Sequence, residues 1–341
     1  MPRFHWLRTT RAAFSFCLGL CAAAAVPASE LFVSDFNNDN VLVFNGETGA
    51  FKGVFASGGG LNAARGLAFG PDRHLYVASG FSDQVLRYHR TTGAFIDAFV
   101  SAGSGGLNAP GELLFGPGGS LLVSSFSEVL RFDAFTGAFV DVFASGNGLG
   151  LITGMKFGPD GNLYVADALN DDVKRFDGVT GAFIDVFVPD VNSPSSMTFG
   201  PDGNLYVGGV SIGVMRFDGT SGALIDNWIP DDTAGLSLME GLTFGPDGNF
   251  YIASFETVKR FDGATGAYID DFVAVGSGGL WAGSDLLFRV PEPSALTLLG
   301  LGLPVVLVLR RRFWVQGSRC IPKYPKLNTV RATPRCTVHS T

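Results

Sequence analysis

Four charged side chains stand at matching places in the internal repeats of this chain, and they are its best candidates for chemistry. Arg65 and Glu240 precede a recurring Phe by four residues, and Glu112 and Asp285 precede it by three. The other repeats hold Gly, Ser or Thr there. If the repeats surround an axis, the three carboxylates could converge on a cation, because Ca²⁺ prefers oxygen ligands. The sequence favours a simpler interpretation, solvated charges at the rim of a channel with no metal and no cofactor.

Other polar groups that could hold a metal or move a proton are better explained as structural. A loop from Asp35 to Asp39 and its counterpart from Asp167 to Asp172 are rich in oxygen ligands, so a Ca²⁺ site is conceivable. Asn and Asp clusters are more often turn formers, and we favour that explanation. His74 and His89 fall in a turn and at a strand end, so we expect surface positions rather than acid–base catalysts.

An Arg recurs before an aromatic residue in each of five repeats, and an Asp recurs ten residues after it. The arginines are Arg87, Arg131, Arg175, Arg216 and Arg260, and the acids are Asp97, Asp141, Asp185, Asp226 and Asp270. Such an array could be mistaken for a ligand-binding surface. Because the two residues fall on successive strands far from the axis, the pattern indicates a repeated structural ion pair.

These candidates are positioned by a sixfold repeat. The string TGAF or a close variant begins at Thr48, Thr92, Thr136, Thr180, Ser221 and Thr265, with spacings of 44, 44, 44, 41 and 44 residues. Phe-Gly-Pro begins at Phe69, Phe115, Phe157, Phe199 and Phe244, and Leu286-Leu287-Phe288 is a truncated sixth copy. Each unit contains four short apolar runs separated by turns. The pattern predicts an all-β, six-bladed propeller with four strands in each blade, over residues 29–289.

The two ends of this region are predicted to close one blade. The region starts at what should be a second strand, Glu30 to Ser34, and finishes at a lone first strand, Asp285 to Phe288. Pairing these strands would leave no open edge in the ring, which an open solenoid would not require. We therefore expect the last strand to complete the first blade.

The charge of the repeat region and the N-terminal residues indicate an exported domain that does not bind nucleic acid. Residues 29–290 hold 13 Lys/Arg against 30 Asp/Glu, a net charge of −17, which disfavours binding to the phosphate backbone of a nucleic acid.

Residues 1–28 carry three arginines, an apolar run and a Val-Pro-Ala cleavage site, as a secretory signal peptide does. All four cysteines lie outside the propeller region, so we predict no disulfide in it. A lipid anchor at Cys21 is disfavoured because Leu20 precedes it.

The repeat resembles the NHL and gluconolactonase-like propeller group. The resemblance rests on FGPDGNLYVA at Phe157 to Ala166 and near copies at Phe199 to Val207 and Phe244 to Ala253, and it covers residues 30–288. It implies the fold more than the function, because the group includes binding modules, lactonases and lyases. Gluconolactonase-like members hold a divalent metal with Glu, Asn and Asp on the axis. Streptogramin-type lyases use histidines, which are missing at the axis here.

The segment 290–313 resembles a PEP-CTERM sorting signal. Pro291, Glu292 and Pro293 precede an apolar run from Ala295 to Leu309, and the cluster Arg310, Arg311 and Arg312 follows. The resemblance implies recognition by an exosortase-type processing enzyme, a transmembrane-type helix, and arginines left in the cytoplasm, as the positive-inside rule also predicts. The run reaches only about 24 Å, short of the roughly 30 Å hydrocarbon core, which suits a transient inner-membrane anchor. Residues 314–341 form a basic tail, for which two explanations stay open: a disordered cytoplasmic extension, or sequence translated beyond the natural stop.

These features together predict an exported, surface-sorted propeller without enzymatic activity. It would serve as a binding or structural component of the cell surface or of an exopolysaccharide matrix. The alternative is a metal-dependent lactonase or lyase of the gluconolactonase-like type. A convergent metal-binding cluster on the axis would favour that alternative, and an empty channel mouth would favour binding.

Overall fold

The computed structural model describes residues 29–236 and 240–291, which belong to one compact unit. They form six antiparallel sheets of four strands each. The predicted all-β, six-bladed propeller with four-stranded blades is therefore confirmed. No helix within these residues is long and apolar enough to cross a membrane. The predicted signal peptide (1–28), the apolar run and arginine cluster of the sorting segment, and the basic tail lie outside the described residues.

The strands fall into four layers from the axis outward. The innermost are β24 (Gly283–Arg289), β4 (Ala64–Phe69), β8 (Pro110–Gly116), β12 (Ile152–Phe157), β16 (Pro194–Phe199) and β20 (Gly241–Phe244). The second strands are β1 (Glu30–Asp35), β5 (Leu75–Ser79), β9 (Ser120–Ser125), β13 (Leu163–Asp167), β17 (Leu205–Gly209) and β21 (Phe250–Ser254). The third are β2 (Asn40–Asn45), β6 (Gln84–Tyr88), β10 (Glu128–Asp133), β14 (Asp172–Phe176), β18 (Gly213–Phe217) and β22 (Thr257–Phe261). The outermost are β3 (Phe51–Ser57), β7 (Phe95–Val100), β11 (Phe139–Ala144), β15 (Phe183–Val188), β19 (Leu224–Ile229) and β23 (Tyr268–Val273).

The core lies between the blades. Each innermost strand contacts the innermost strands of the two neighbouring blades, so the six form a closed ring. Six apolar clusters each fill one interface between neighbouring blades. We number the blades in chain order, so blade 1 holds β24, β1, β2 and β3, and blade 2 holds β4 to β7. Phe32 of blade 1, for example, packs with Leu75 and Val77 of blade 2. Burial of this kind contributes about 25 cal/mol per Å² of apolar surface, so all six interfaces stabilise the ring together. Short 3₁₀ turns occur at Ser104–Gly106, Pro117–Gly119, Thr233–Gly235 and Ser277–Gly279.

The two ends of the described chain close the ring as predicted. β24 pairs antiparallel with β1, with Leu31 opposite Phe288. The Arg289 guanidinium donates to Glu30, its Nε lying 3.0 Å from Oε2. β24 is longer than the predicted strand from Asp285 to Phe288, because a bulge in β24 itself lets the pairing continue to Gly283. Blade 1 is therefore built from both ends of the propeller.

A recurring geometry in the turn between the third and outermost strands explains part of the TGAF repeat. Oδ1 of Asp177 accepts hydrogen bonds from the Val179 and Thr180 N–H groups and from the Thr180 hydroxyl, at 3.1, 2.7 and 2.8 Å. The glycine that follows, Gly181, has φ of 74°, and an added Cβ would lie 1.8 Å from the Phe143 carbonyl oxygen of the preceding blade. Glycine is needed both for the left-handed backbone and for this close approach.

The same approach recurs around the ring, including across the seam between blades 6 and 1. There a Cβ on Gly49 would lie 1.7 Å from the Phe272 carbonyl oxygen. The equivalent glycines are Gly49, Gly93, Gly137, Gly181, Gly222 and Gly266. The repeated turn thus packs closely against the outermost strand of the preceding blade at each interface.

We predict that Gly181→Ala destabilises the protein much more than Gly161→Ala does. Gly161 also has positive φ, 80°, but an added Cβ there would meet nothing within 4 Å. Both variants carry the left-handed strain of about 1–2 kcal/mol, and only Gly181→Ala adds overpacking of about 1–3 kcal/mol. Denaturant unfolding measures the difference. Equal losses of unfolding free energy would show that the close approach contributes nothing.

Candidate functional site

Five innermost strands, β24, β4, β8, β12 and β16, begin with a bulge at the loop face that carries the connections from second to third strands and from one blade to the next. In β8 the N–H groups of Gly111 and Glu112 both donate to the Ser124 hydroxyl, at 3.2 and 2.8 Å. In β24 the Asp285 N–H donates to the Ser34 hydroxyl at 2.9 Å. A bulge re-aims side chains. Its placement puts Arg65 at a different position from Glu112 and Asp285, and the four sequence-predicted residues fall into two groups.

The first group is a buried cluster in the channel formed by Glu112, Lys156 and Asp285. Glu112 and Asp285 are each only 8% exposed. The Lys156 Nζ lies 3.6 Å from the Glu112 Oε2. The Asp285 carboxylate accepts hydrogen bonds from the N–H of Leu67 in blade 2 and from its own neighbour Leu286, both at 2.8 Å. Blades 1, 2, 3 and 4 are therefore tied together by one polar cluster.

Burial and mutual charge set the protonation of this cluster. Burial raises the pKa of Glu112 to about 7; Asp285 adds to this rise and the Lys156 ammonium opposes it. Burial also raises the pKa of Asp285, against the attraction of Lys156. Burial alone would lower the pKa of Lys156, but the two carboxylates raise it above its usual value. Within the described residues, Lys156 is therefore the cation that interacts with both carboxylates.

Sequence reasoning missed Lys156, although a signal was present. It stands one residue before the marker Phe157, where the other repeats hold Ala68, Leu114, Thr198, Thr243 and Leu287. Strand alternation places that position on the same face as the one three residues before the marker. A lone charged residue there, on the face that carries Glu112 and Asp285 in other blades, could have indicated their partner.

The second group, Arg65 and Glu240, lies at the channel mouth. Both line a cavity of about 220 Å³ together with Phe36, Phe255 and the chain from Ala282 to Ser284. The Arg65 guanidinium stacks over the Phe36 ring at 4.9 Å. Neither charged side chain makes a hydrogen bond or an ion pair within the described residues, and the Arg65 Nε is buried without an acceptor. Their hydrogen-bonding capacity is available to a ligand.

At the mouth, Arg65 and Glu240 each influence the pKa of the other. Burial lowers the pKa of Arg65, and Glu240 opposes that change. The surrounding protein raises the pKa of Glu240, and Arg65 opposes that change. Gly80 makes room for the arginine, since an added Cβ would lie 2.8 Å from its Nε. Arg65 is therefore partly desolvated at this opening, whereas Glu240 is exposed to solvent.

The same opening continues into a neighbouring cavity with hydroxyl-bearing walls. It is also about 220 Å³ and is lined by Arg65, Glu112 and Glu240 and by small polar residues. These polar residues are Thr153, Ser193, Ser195 and Ser284. Because Glu112 lines this cavity, the mouth and the buried cluster lie next to each other.

Apolar side chains follow the second strand of the blades and surround the mouth. Phe81, for example, is 64% exposed, and Phe255 is 41% exposed. Phe81 meets Phe36 edge to face at 5.4 Å. The exposed members are Phe81, Phe126, Leu169, Val210 and Phe255, and Trp281 joins them from the loop before β24. Exposed aromatics beside a polar cavity are typical of a binding surface rather than of a merely solvated rim.

The two loops rich in Asn and Asp are hydrogen-bonded turns. The Asp35 carboxylate accepts the N–H groups of Trp281 and Ala282, at 2.9 and 3.1 Å, across the closing strand. The Asp167 carboxylate accepts a hydrogen bond from the Lys174 ammonium at 3.0 Å and also from the backbone N–H groups of Gly150 and Leu151. N–H donors therefore occupy the oxygens that a metal would need. No group of three or more acidic, His or Cys side chains in residues 29–236 and 240–291 is arranged to hold a metal.

The two histidines are half-buried parts of turns on the opposite face. The His89 Nδ1 accepts the Thr92 N–H at 3.3 Å, which is the role that Asp177 has in blade 4. The His74 Nδ1 accepts the Arg90 N–H at 3.1 Å. Both are thus structural, and neither faces the channel mouth.

The repeated ion pairs are confirmed in all five blades where they were predicted. Arg175 donates to Asp185 through Nε and Nη2, at 3.1 and 2.6 Å, and stacks over Phe187 at 4.9 Å. Equivalent pairs join Arg87, Arg131, Arg216 and Arg260 to their acids. Because the acids are 42–45% exposed, each pair contributes at most about 1 kcal/mol. The array is therefore a repeated set of structural ion pairs, as the sequence predicts.

Comparisons with known proteins support the fold and nothing finer. No protein-family model and no curated protein match this chain. A chain of the crystal structure of a nidogen/laminin complex is 17% identical, with a TM-score of 0.62, and the match covers 78% of this chain and 100% of that one. A protein of unknown function from Bacteroides caccae is 14% identical, with a TM-score of 0.58 and the same coverage. At such identities the likeness shows the fold alone, so the resemblances to the gluconolactonase-like and PEP-CTERM families stay predictions.

We predict that the buried cluster makes the propeller less stable as the pH rises. The native pKa of Glu112, about 7, lies above the ordinary value of 4.5. Its contribution to the free energy of unfolding is therefore complete below about pH 4.5 and is lost as the pH rises through about 7. Glu112→Gln cannot titrate, so its melting temperature should fall less than that of the wild type between about pH 5 and pH 8.

Glu47→Gln is the matched control, because Glu47 is exposed in the turn between β2 and β3. Its melting temperature should follow the wild type across the same pH range. Parallel curves for the wild type and Glu112→Gln would contradict the assignment of Glu112.

Proposed function

We propose that this chain is an exported, surface-sorted propeller that acts, without catalysing a reaction, as a binding or structural component of the cell surface or of an exopolysaccharide matrix. The observation that carries the binding role is the channel mouth, where Arg65 and Glu240 face a cavity without protein partners among the described residues. A buried polar atom left without a partner, as the Arg65 Nε is, is costly in a purely structural element. A ligand that accepts a hydrogen bond from it would remove this cost.

The charged groups at the axis support binding better than metal-dependent catalysis. A lactonase or lyase would use the carboxylates to hold a divalent cation. The Lys156 ammonium lies 3.6 Å from the Glu112 Oε2 and interacts electrostatically with both Glu112 and Asp285, and the Asp285 carboxylate accepts a hydrogen bond from the backbone N–H of Leu67. A divalent cation would have to displace this ammonium. We therefore propose binding, and no observation on the described residues favours the lactonase alternative.

Surface sorting is supported by where the sequence signal stands relative to the closed ring. β24 ends at Arg289, and the Pro-Glu-Pro element begins at Pro291. All six blade interfaces are complete before that point. Cleavage near Pro293 would release the propeller without removing any strand that it needs. The exosortase-type enzyme that we propose as the processing partner could therefore act on a folded domain.

We predict that the surface form of the protein ends near Pro293. Mass spectrometry of protein released from the cell surface should find no residue from Ala295 onward, because the apolar run and the arginines remain with the membrane. Glu292→Ala should prevent processing and leave the full C-terminus in the membrane fraction. Glu47→Ala, which replaces an exposed acid in the propeller, should be processed normally. A mature surface form that retains Arg310 to Arg312 would overturn the sorting proposal.

A further inference from the structure

We propose that the channel mouth binds one neutral sugar residue of a polysaccharide, held by Arg65 and Glu240 against the Phe36 and Phe255 walls. This inference rests on the proposed binding function and names its ligand class. It follows from the hydrogen-bonding capacity, the walls, the size and the charge of the cavity.

The unpartnered pair matches the hydroxyl groups of a sugar. A guanidinium only donates hydrogen bonds and a carboxylate only accepts them, whereas each hydroxyl does both. Two adjacent hydroxyl oxygens can accept the planar fork of Arg65, and a hydroxyl of the same ring can donate to Glu240. Stacking on Phe36 holds the guanidinium plane in place at 4.9 Å, which lowers the cost of ordering it on binding.

The walls of the cavity suit the apolar C–H face of a pyranose. Phe36 and Phe255 line it together with Ala282 and Gly283, and Ser284 adds a hydroxyl. Sites of this kind are mostly apolar and aromatic, with a few polar groups that fix orientation. Phe81 and Trp281 extend the aromatic surface beyond the cavity, where further residues of a chain could rest.

The size of the cavity limits the ligand to a small unit. Its volume of about 220 Å³ lies below the ~300–1,000 Å³ of pockets that enclose drug-sized molecules. One ring can occupy this cavity, and neighbouring residues of the polysaccharide can extend into the adjoining cavity or out of the opening.

Charge favours a neutral sugar over an acidic one. Glu240 lines the cavity, and residues 29–290 carry a net charge of −17. A uronic acid or a phosphate would gain Arg65 but would be repelled by Glu240 and by the overall field. A neutral ring meets no such repulsion.

The test is a calorimetric titration of the full chain in detergent with neutral hexasaccharides of glucose, mannose or galactose, and with hexagalacturonate. At least one neutral hexasaccharide should bind at one site per chain. Arg65→Ala and Glu240→Gln should each weaken that binding at least about tenfold, a free-energy loss of about 1.4 kcal/mol. Arg65→Lys should lose part of it, because lysine keeps the charge and lacks the planar fork. Phe255→Ala should also weaken it.

Matched controls on the opposite face are Arg90→Ala, Glu47→Gln and Phe135→Ala, which should bind as the wild type does. Melting temperatures should show that the mouth variants fold, since Arg65 and Glu240 have no hydrogen-bond or ion-pair partner among the described residues. Binding of hexagalacturonate alone would overturn the neutral-sugar inference and leave the proposed binding function standing. Binding that survives both mouth substitutions, or no binding to any probe, would also overturn the inference. The proposed function is tested separately by the processed C-terminus.

Discussion

The antiparallel pairing of β24 with β1 is the interaction on which the rest of this structure depends. It joins the two ends of the propeller in one blade and leaves the ring of innermost strands without a gap. It also builds the candidate site, because β24 supplies Ser284 to the mouth and Asp285 to the buried cluster. Closure and the site therefore share one element. A protein that loses the seam would lose both.

Around the ring, the same contacts repeat at each interface and distribute stability over six blades. Each interface has an apolar cluster, and each has a glycine that lets a turn approach the preceding blade. The outermost strands remain as free edges with exposed apolar residues such as Ile184 and Val186. Two register shifts in the pairing of β14 with β15, repeated in the other blades, distort these edges. Such bulges discourage pairing with another chain.

Much of the fold was predictable because its determinants are local and repeated. The spacing of TGAF and Phe-Gly-Pro predicted the blades, and Arg175 and Asp185 could be paired because they fall on adjacent strands. The site was less predictable. Bulges at the start of β4, β8 and β24 decide where the side chains point there, and they separate Arg65 from Glu112 and Asp285. Lys156 was missed because its partners come from other blades, which only the closed ring brings within reach.

Amide hydrogen exchange of the full chain tests most directly whether the seam is an integral part of the ring and of the mouth. The segment 283–289 should be protected as strongly as 152–157, the innermost strand of blade 4. Both should exchange only through global unfolding, because opening either strand breaks the closed ring. Rapid exchange over 283–289 while 152–157 stays protected would contradict this dependence, because the ring would then stay folded without its closing strand.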